Sequence, residues 1–329
     1  MYKLVRPFLF SQDPETIHEI MQTLGEKLSS PWITKPLAKV FGFSHKSLQT
    51  RVLGIDFPNP IGLAAGFDKK ARFLALLPFL GFGFAEVGTV TPRPQEGNPK
   101  PRLFRLDQDA ALINRMGFNN EGVEKLTKKL EHKPKNLIVG VNVGKNKDTS
   151  QELAWKDYEE CFMRVSDLAD YIVINVSSPN TPHLRDLQEK EPLTFLLKKI
   201  QAKNQERRIP KPVLLKIAPD LHNSQLDDII AIVKETGIAG VIATNTTLVD
   251  AGGLSGRPLR KRSTEVISYL SKKSEKKFKI IGVGGIHSEQ DAMEKIEAGA
   301  DSVQIYTGFI YEGPDLVKRI NKQLQKTER

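Results

Sequence analysis

Eight short apolar runs constrain what this chain can fold into more than any other feature of it. They are Ile61 to Ala65, Phe84 to Val90, Leu137 to Val143, Tyr171 to Val176, Val213 to Ile217, Gly240 to Ala243, Lys279 to Val283 and Ser302 to Ile305. Each is too short for a helix and most are rich in β-branched residues, the pattern of a strand covered on both faces. Segments with helical spacing, such as Gln225 to Glu235 and Glu289 to Ala298, lie between them, so strand and helix alternate. The fold class is therefore α/β, and eight parallel strands with crossover helices close most readily into a (β/α)8 TIM barrel. A doubly wound open sheet is the competitor. The lack of a Gly-x-Gly-x-x-Gly turn after the first run counts against it.

A barrel of ~250 residues leaves part of the 329-residue chain over, and that part lies ahead of the first run. Asp13-Pro14-Glu15 reads as a helix start. Ile17, Ile20, Met21, Leu24 and Leu28 then recur on one stripe, which Gly25 weakens without ending. Ser30-Pro31 breaks the pattern, and Pro36 suits the first turn of a second helix carrying Leu37, Val40, Phe41 and Phe43. Residues 1–45 are thus expected to form an N-terminal amphipathic helical hairpin, and residues 46–329 the barrel. Phe8, Phe10, Trp32, Phe41 and Phe43 stand among Lys3, Arg6, Lys35, Lys39 and Lys46. That mixture suits helices lying in a membrane interface, and equally a hairpin docked on the main domain.

Composition excludes several classes. Apolar and charged fractions of 39% and 27% are those of a globular chain, and no run approaches the ~18 consecutive apolar residues of a membrane span. The single cysteine, Cys161, rules out an internal disulfide and a Cys-based metal site; it reads as a small core residue. No metal is expected. A net charge of +10 and a pI near 9.4 call for an anionic partner. The basic residues are spread without an RNP, zinc-finger or basic-arm pattern, so nucleic acid ranks last.

In such a barrel the site is built at the C-terminal ends of the strands, where this sequence keeps its unusual residues. The runs end in Ala64-Ala65-Gly66-Phe67-Asp68-Lys69, Gly88-Thr89-Val90-Thr91-Pro92, Asn142-Val143-Gly144-Lys145-Asn146, Asn175-Val176-Ser177-Ser178-Pro179-Asn180-Thr181-Pro182, Lys216, Thr244-Asn245-Thr246-Thr247, Gly284-Gly285 and Tyr306-Thr307-Gly308. The amides and hydroxyls after the fourth run suit a planar polar ligand with many carbonyl and N–H edges; an Asx/Ser turn would use one or two of them. The seventh and eighth turns form the usual phosphate site of these barrels, and the Gly-rich stretch Gly252 to Arg257 can join them. Lys216 sits inside the apolar frame Val213-Leu214-Leu215-Lys216-Ile217. An ammonium there needs an anion, and a Schiff base or a counter-ion role toward a reduced flavin would each answer it.

These motifs, with Thr91-Pro92-Arg93-Pro94-Gln95, Asn114-Arg115-Met116-Gly117-Phe118-Asn119, Gly253-Leu254-Ser255-Gly256-Arg257-Pro258 and Gly282-Val283-Gly284-Gly285-Ile286, closely resemble the class 2, quinone-dependent dihydroorotate dehydrogenase family over nearly the whole chain. The resemblance implies an FMN enzyme that oxidises dihydroorotate to orotate in pyrimidine synthesis and passes the electrons to a membrane quinone. Ser178 would be the base at C5, with Thr181 and an ordered water as the exit for the proton. Asn114, Asn175, Asn180, Asn245 and Thr246 match substrate contacts, and Arg115, Met116, Gly117 and Phe118 belong to the same substrate loop. Lys69 matches a residue near both the substrate carboxylate and the flavin. Ala65, Gly66, Thr89, Asn142, Asn175, Lys216 and Thr244 match contacts to the FMN ring and ribityl chain, and Gly256, Gly285, Tyr306 and Thr307 its phosphate.

Class 1 relatives use a cysteine base and lack the N-terminal piece, so Ser178 and the segment Leu4 to Phe43 point to class 2. The resemblance makes that segment a quinone funnel lined by Phe8, Ile17, Met21, Leu24 and Leu37, with His18 and Arg105 facing the tunnel. The stretch from Thr247 to Gly252 looks short beside relatives, which bears on how far it covers the flavin. A monomer is expected, peripheral to the cytoplasmic face of a bacterial cell membrane, since no transit-peptide pattern precedes the barrel. The rivals are a class 1 enzyme, a Lys216 Schiff-base aldolase and a non-catalytic flavoprotein.

Overall fold

The computed structural model describes residues 2–28 and 30–327. Met1, Ser29, Glu328 and Arg329, which fall within the two expected segments, lie outside the described residues. Eight strands, Ile61–Leu63, Phe84–Val90, Ile138–Val143, Tyr171–Asn175, Val213–Ile217, Gly240–Ala243, Lys279–Val283 and Ser302–Ile305, close into a barrel. They are numbered one to eight below. Neighbours pair in parallel and in chain order, and strand eight returns to strand one through Val303 opposite Ile61.

The two-residue period of a strand sorts these runs into two cores. Ile61, Leu63, Ala85, Val87, Val139, Val141, Ile172, Ile174, Leu215 and Val241 pack outward against the surrounding helices. Phe84, Tyr171, Val173, Leu214, Ile242, Ile281 and Val283 point inward and fill the barrel. Two residues beyond Phe84 the same alternation carries Glu86 into the interior, fully buried. The barrel's lower end is closed by a hairpin of two strands, Thr50–Val52 and Ile55–Phe57, whose Phe57 ring stands edge-on to Phe84 at 5.1 Å. Gly62 is required beside that pair, because a Cβ there would come within 2.4 Å of the Phe84 ring.

Above the mouth lies a second, four-stranded antiparallel sheet in the order Thr247–Val249, Gly252–Gly256, Ala111–Asn114, Leu103–Leu106. Two of its strands come from an insertion between barrel strands two and three. The other two form the short hairpin that the sequence presents as a Gly-rich loop. Pairing sets Gly253 opposite Asn114 and Gly256 opposite Ala111. Gly253 has no room for a side chain, since a Cβ would lie 2.3 Å from Thr246 Oγ1.

The N-terminal piece has three helices: α1 (Tyr2–Phe10), α2 (Pro14–Lys27) and α3 (Pro31–Phe41). Asp13 caps α2 by accepting from the Thr16 N–H at 2.8 Å. Gly25 buys close packing, because a Cβ would enter the Phe73 ring. The expected two-helix hairpin is α2 and α3, with two corrections: α3 begins at Pro31, so that Pro36 lies inside it, and it ends at Phe41, which leaves Phe43 beyond it. The additional helix, α1, has its apolar period interrupted by Lys3, Arg6 and Pro7. It is held by tertiary contacts, Tyr2 Oη to the Ile310 carbonyl and Arg6 Nη1 to the Tyr311 carbonyl at 3.0 Å.

The anchor of α2 is a buried ion pair. Arg102 donates from Nη2 to Glu15 Oε1 at 2.7 Å and from Nε to both carboxylate oxygens at 3.1 Å. Removing one partner of such a pair strands the other charge at a cost of about 3 kcal/mol. Glu15→Ala is therefore expected to lower the thermal midpoint by several degrees and to expose residues 2–41 to protease before the barrel. Unchanged melting and cleavage would show that α2 is held by its apolar face alone.

Candidate active site

The polar strand ends converge on one cleft at the mouth of the barrel, enclosing about 1040 Å³ of space between its walls. Every residue expected to hold cofactor or substrate lines it except Asn142 and Arg115, and of the two residues expected to move the proton Ser178 lines it and Thr181 does not.

Asn142 lies one layer deeper and organises the floor. Its amide nitrogen donates to Glu86 Oε1 at 2.6 Å, and its oxygen accepts from Thr89 Oγ1 and from Asn175 Nδ2 at 3.0 Å. Asn175 Nδ2 also donates to Thr89 Oγ1 at 2.9 Å, and Asn175 Oδ1 accepts from Ser177 Oγ at 3.1 Å. Asn245 Nδ2 in turn reaches Ser177 Oγ at 3.0 Å. One chain of hydrogen bonds thus joins strands two, three, four and six, and each amide is oriented by its neighbours. Asn180 donates to Asn114 Oδ1 at 3.0 Å, tying the loop after strand four to the upper sheet.

Arg115 turns away from the cleft. Its guanidinium is exposed, donates twice to the Pro101 carbonyl and stacks over Phe104, so it steadies the loop rather than a ligand. Ser178 faces the cleft and is 7% exposed, with Oγ accepting from the Asn180 N–H at 3.3 Å. Thr181 is buried behind the loop.

Two residues that sequence reasoning passed over hold this site together. Glu86 is the anion beside Lys216: Oε1 lies 3.3 Å from Lys216 Nζ, and Oε2 accepts from Gln304 Nε2 at 2.7 Å. Its inward position followed from strand alternation, but nothing local marks its partner, 130 residues further on. Arg185 clamps the rim, donating to the carbonyls of Ser177 and Thr246 and pairing with Asp220 at 2.8 Å.

The cleft carries marks of a ligand. Thr244 Oγ1 and Gln304 Oε1 are buried with no hydrogen-bond partner among the described residues, which is costly unless something else satisfies them. Gly285 has φ +72, and a Cβ there would lie 2.5 Å from the Arg260 backbone; Gly256 has φ +96 and is equally crowded by Ala110 and Ala111. Gly256 lies against Thr307 and Gly285 against Arg260, the first residues of the helices Thr307–Glu312 and Arg260–Lys273, whose opening N–H groups lack intrahelical acceptors.

Behind the cleft runs a second, apolar cavity of about 1310 Å³ between α1, α2, α3 and the barrel. Ile17, Met21, Leu24 and Leu37 line it as expected, but Phe8 does not: it points outward and is 70% exposed. Both cavities share Leu103, Leu112 and Tyr306 as walls. His18 lines the channel edge-on to Phe67 at 5.1 Å; burial, then the charge of Lys69, pushes its imidazole down to about 4, so it stays neutral near pH 7. Arg105 lies across Phe10, its Cζ 4.8 Å from the ring centroid, and donates to the Leu9 and Gln12 carbonyls.

Fold and site define a (β/α)8 barrel with a hydrogen-bonding cleft at its mouth and an apolar cavity adjoining it. The family model for dihydroorotate dehydrogenase matches residues 47–327. The chain is 56% identical to the dihydroorotate dehydrogenase (quinone) of Christiangramia forsetii, covering 98% of both chains, and 48% identical to that of Idiomarina loihiensis, covering 98% of this chain and all of the relative. It superposes on the crystal structure of DHODH from Eimeria tenella in complex with ferulenol with a TM-score of 0.88 at 37% identity, covering 98% of this chain and 94% of that one. The chain belongs to the dihydroorotate dehydrogenase family.

Lys69 yields a test of the site's electrostatics. Its ammonium meets only neutral partners in Asn119 Oδ1 and Met116 Sδ, and burial, then the nearby Arg102, pushes it down to about 7. Below pH 7 the amine is charged in the folded and unfolded chains alike, and the full cost of burying that charge is present. Between about 7 and the ordinary lysine value only the unfolded chain holds the proton, so stability rises with pH there. Lys69→Met is expected to stabilise the ligand-free protein at about pH 6 and to lose nearly all of that advantage by about pH 10. Equal gains at both pH values in thermal melts would contradict it.

Proposed function

We propose that this chain oxidises dihydroorotate to orotate in pyrimidine synthesis and delivers the electrons to a membrane quinone. The observation that carries the reading is the pair of cavities sharing Tyr306, Leu103 and Leu112: a hydrogen-bonding cleft built from asparagines on one side, an apolar channel on the other.

The family is one of flavin-dependent dehydrogenases, and the cleft's residues fit FMN. Thr244 Oγ1 and Gln304 Oε1 await a polar partner, and Gly256, Gly285 and Thr307 form a close backbone cradle for a phosphate. Ala65, Gly66, Thr89 and Lys216 would hold the ring, with Asn142 acting through Thr89 and Asn175. FMN bound there supplies the two-electron acceptor.

The chain's own residues do the rest. Asn114, Asn175, Asn180, Asn245 and Thr246 present amide and hydroxyl groups to the ring of dihydroorotate, with Gly117 and Phe118 adding backbone N–H groups and Met116 a wall. Lys69 answers the substrate carboxylate, which restores the charge that burial disfavours. Ser178 Oγ takes the proton from C5. A serine hydroxyl is a weak base, so it works here because Ser178 is nearly shut off from water, and Thr181 in the same loop, with an ordered water, is the exit for the proton.

Residues 1–45 are the quinone-access domain and residues 46–329 the catalytic barrel. Among the described residues no helix is long and apolar enough to cross a membrane. Instead Leu4, Phe8 and Trp32, each at least 70% exposed, rise from α1 and α3 beside Lys3, Lys35 and Lys39, as in helices that lie in an interface. The protein is then a monomer, peripheral to the cytoplasmic face of the cell membrane, with the channel opening toward lipid.

The test is anaerobic stopped-flow mixing of the yellow protein with dihydroorotate. Bleaching is expected in wild type, and in Ser178→Ala about 100-fold slower or worse, the usual worth of a positioned base. Reoxidation of dithionite-reduced Ser178→Ala by quinone should match wild type. A protein without flavin absorbance, or an S178A variant that bleaches at the wild-type rate, would overturn the reading.

A further inference from the structure

Inside the barrel, at the floor of the cleft, sits a layer of polar side chains almost wholly shut off from water. Glu86 from strand two is fully buried, and Asn142, Lys216 and Gln304 from strands three, five and eight surround it, each at most 4% exposed. The carboxylate uses both oxygens, Oε1 toward Asn142 Nδ2 at 2.6 Å and Lys216 Nζ at 3.3 Å, Oε2 toward Gln304 Nε2 at 2.7 Å. The ammonium's contact with Glu86 is longer than a charge-assisted bond at its best, and Lys216 also lines the cleft above. It therefore stands between an anion below and the ligand space above.

An isolated ammonium in such a place sheds its proton, because desolvation disfavours the charged form by several pH units. A carboxylate held by two amide donors reverses that preference, since its own negative charge is satisfied and fixed. The other ionisable groups facing this region are Tyr171, whose hydroxyl burial and then the charge of Glu86 keep protonated, and Lys69, at the opposite wall of the cleft. Neither supplies an anion.

We infer that Glu86 is the positioning residue for Lys216: its carboxylate keeps the ammonium charged and in place before negative charge gathers on the flavin. This rests on the flavin reading above. When two electrons reach the flavin as a hydride from substrate, the positive charge is already present, and no proton has to travel through the floor of the barrel to create it. Without Glu86 the amine rests neutral, and the same reduction draws one further proton from solvent onto Lys216 Nζ.

The experiment is a redox titration of the flavin with mediator dyes, from about pH 6 to 9, on flavin-loaded wild type, E86Q and E86D. E86Q is expected to show a potential that falls more steeply with pH than wild type. The excess is one proton per two electrons, a tenfold change in the equilibrium per pH unit, or about 30 mV. E86D, which keeps the charge, is expected to follow the wild-type slope. Parallel wild-type and E86Q profiles overturn the inference whatever their offset, because reduction then draws no further proton onto Lys216 when its carboxylate is gone. A steepened E86D profile overturns it too, since fit and not charge would be at work. Should E86Q fail to fold, the E86Q/K216M double variant, which leaves no unpaired buried ion, is expected to fold; a double variant that fails as the single does overturns the pairing. A wild-type protein with no flavin absorbance would instead sink the flavin reading itself.

Discussion

The fully buried Glu86 carboxylate in the middle of the barrel is the constraint on which the rest of the site depends. A bare carboxylate cannot stay ionised there, so Asn142, Gln304 and Lys216 are committed to it. Those commitments propagate upward. With its nitrogen given to Glu86, Asn142 can offer only its oxygen to Thr89 and Asn175, which fixes how Asn175 presents itself to the cleft and, through Ser177, how Asn245 does. The geometry of the substrate wall is set from below, on rigid strands, rather than by the loops that frame it.

The loops add enclosure. The upper sheet covers the mouth, Arg185 ties the loops after strands four and six together, and the asparagine pair Asn114 and Asn180 bridges lid and wall. Tyr306, Leu103 and Leu112 belong at once to this enclosure and to the channel under the N-terminal helices. That shared wall is what distinguishes the arrangement from a barrel with a single solvent-facing cleft. On the function proposed above, it lets a polar and an apolar reactant use opposite sides of one partition without meeting.

The barrel was legible because eight buried strands must each be a short apolar run, and the cleft because polar residues have no reason to end such runs unless something uses them. What was not legible depends on distant pairing. Glu86 reads as a lone acid in an apolar strand until Lys216, 130 residues on, is brought beside it. The strands Leu103–Leu106 and Ala111–Asn114 carry no long apolar run, because the sheet they join roofs a cleft instead of filling a core. Arg115 sits in a ligand-binding motif, yet its long side chain finds the Pro101 carbonyl outside the cleft. Phe8 shares its helix with Tyr2, Val5 and Leu9, which face the channel while it faces out, and that distinction needs the register of α1, which Pro7 and the basic residues obscure.

The most direct test of the two-cavity arrangement is the fate of electrons once dihydroorotate has put them into the protein. Enzyme reduced anaerobically by that substrate and freed of excess is mixed with a short-chain quinone, with fumarate, or with NAD. Return of the yellow colour with quinone alone is the predicted result. Return with fumarate or NAD and none with quinone would contradict it, leaving the apolar channel without the role that its shared wall with the cleft assigns to it.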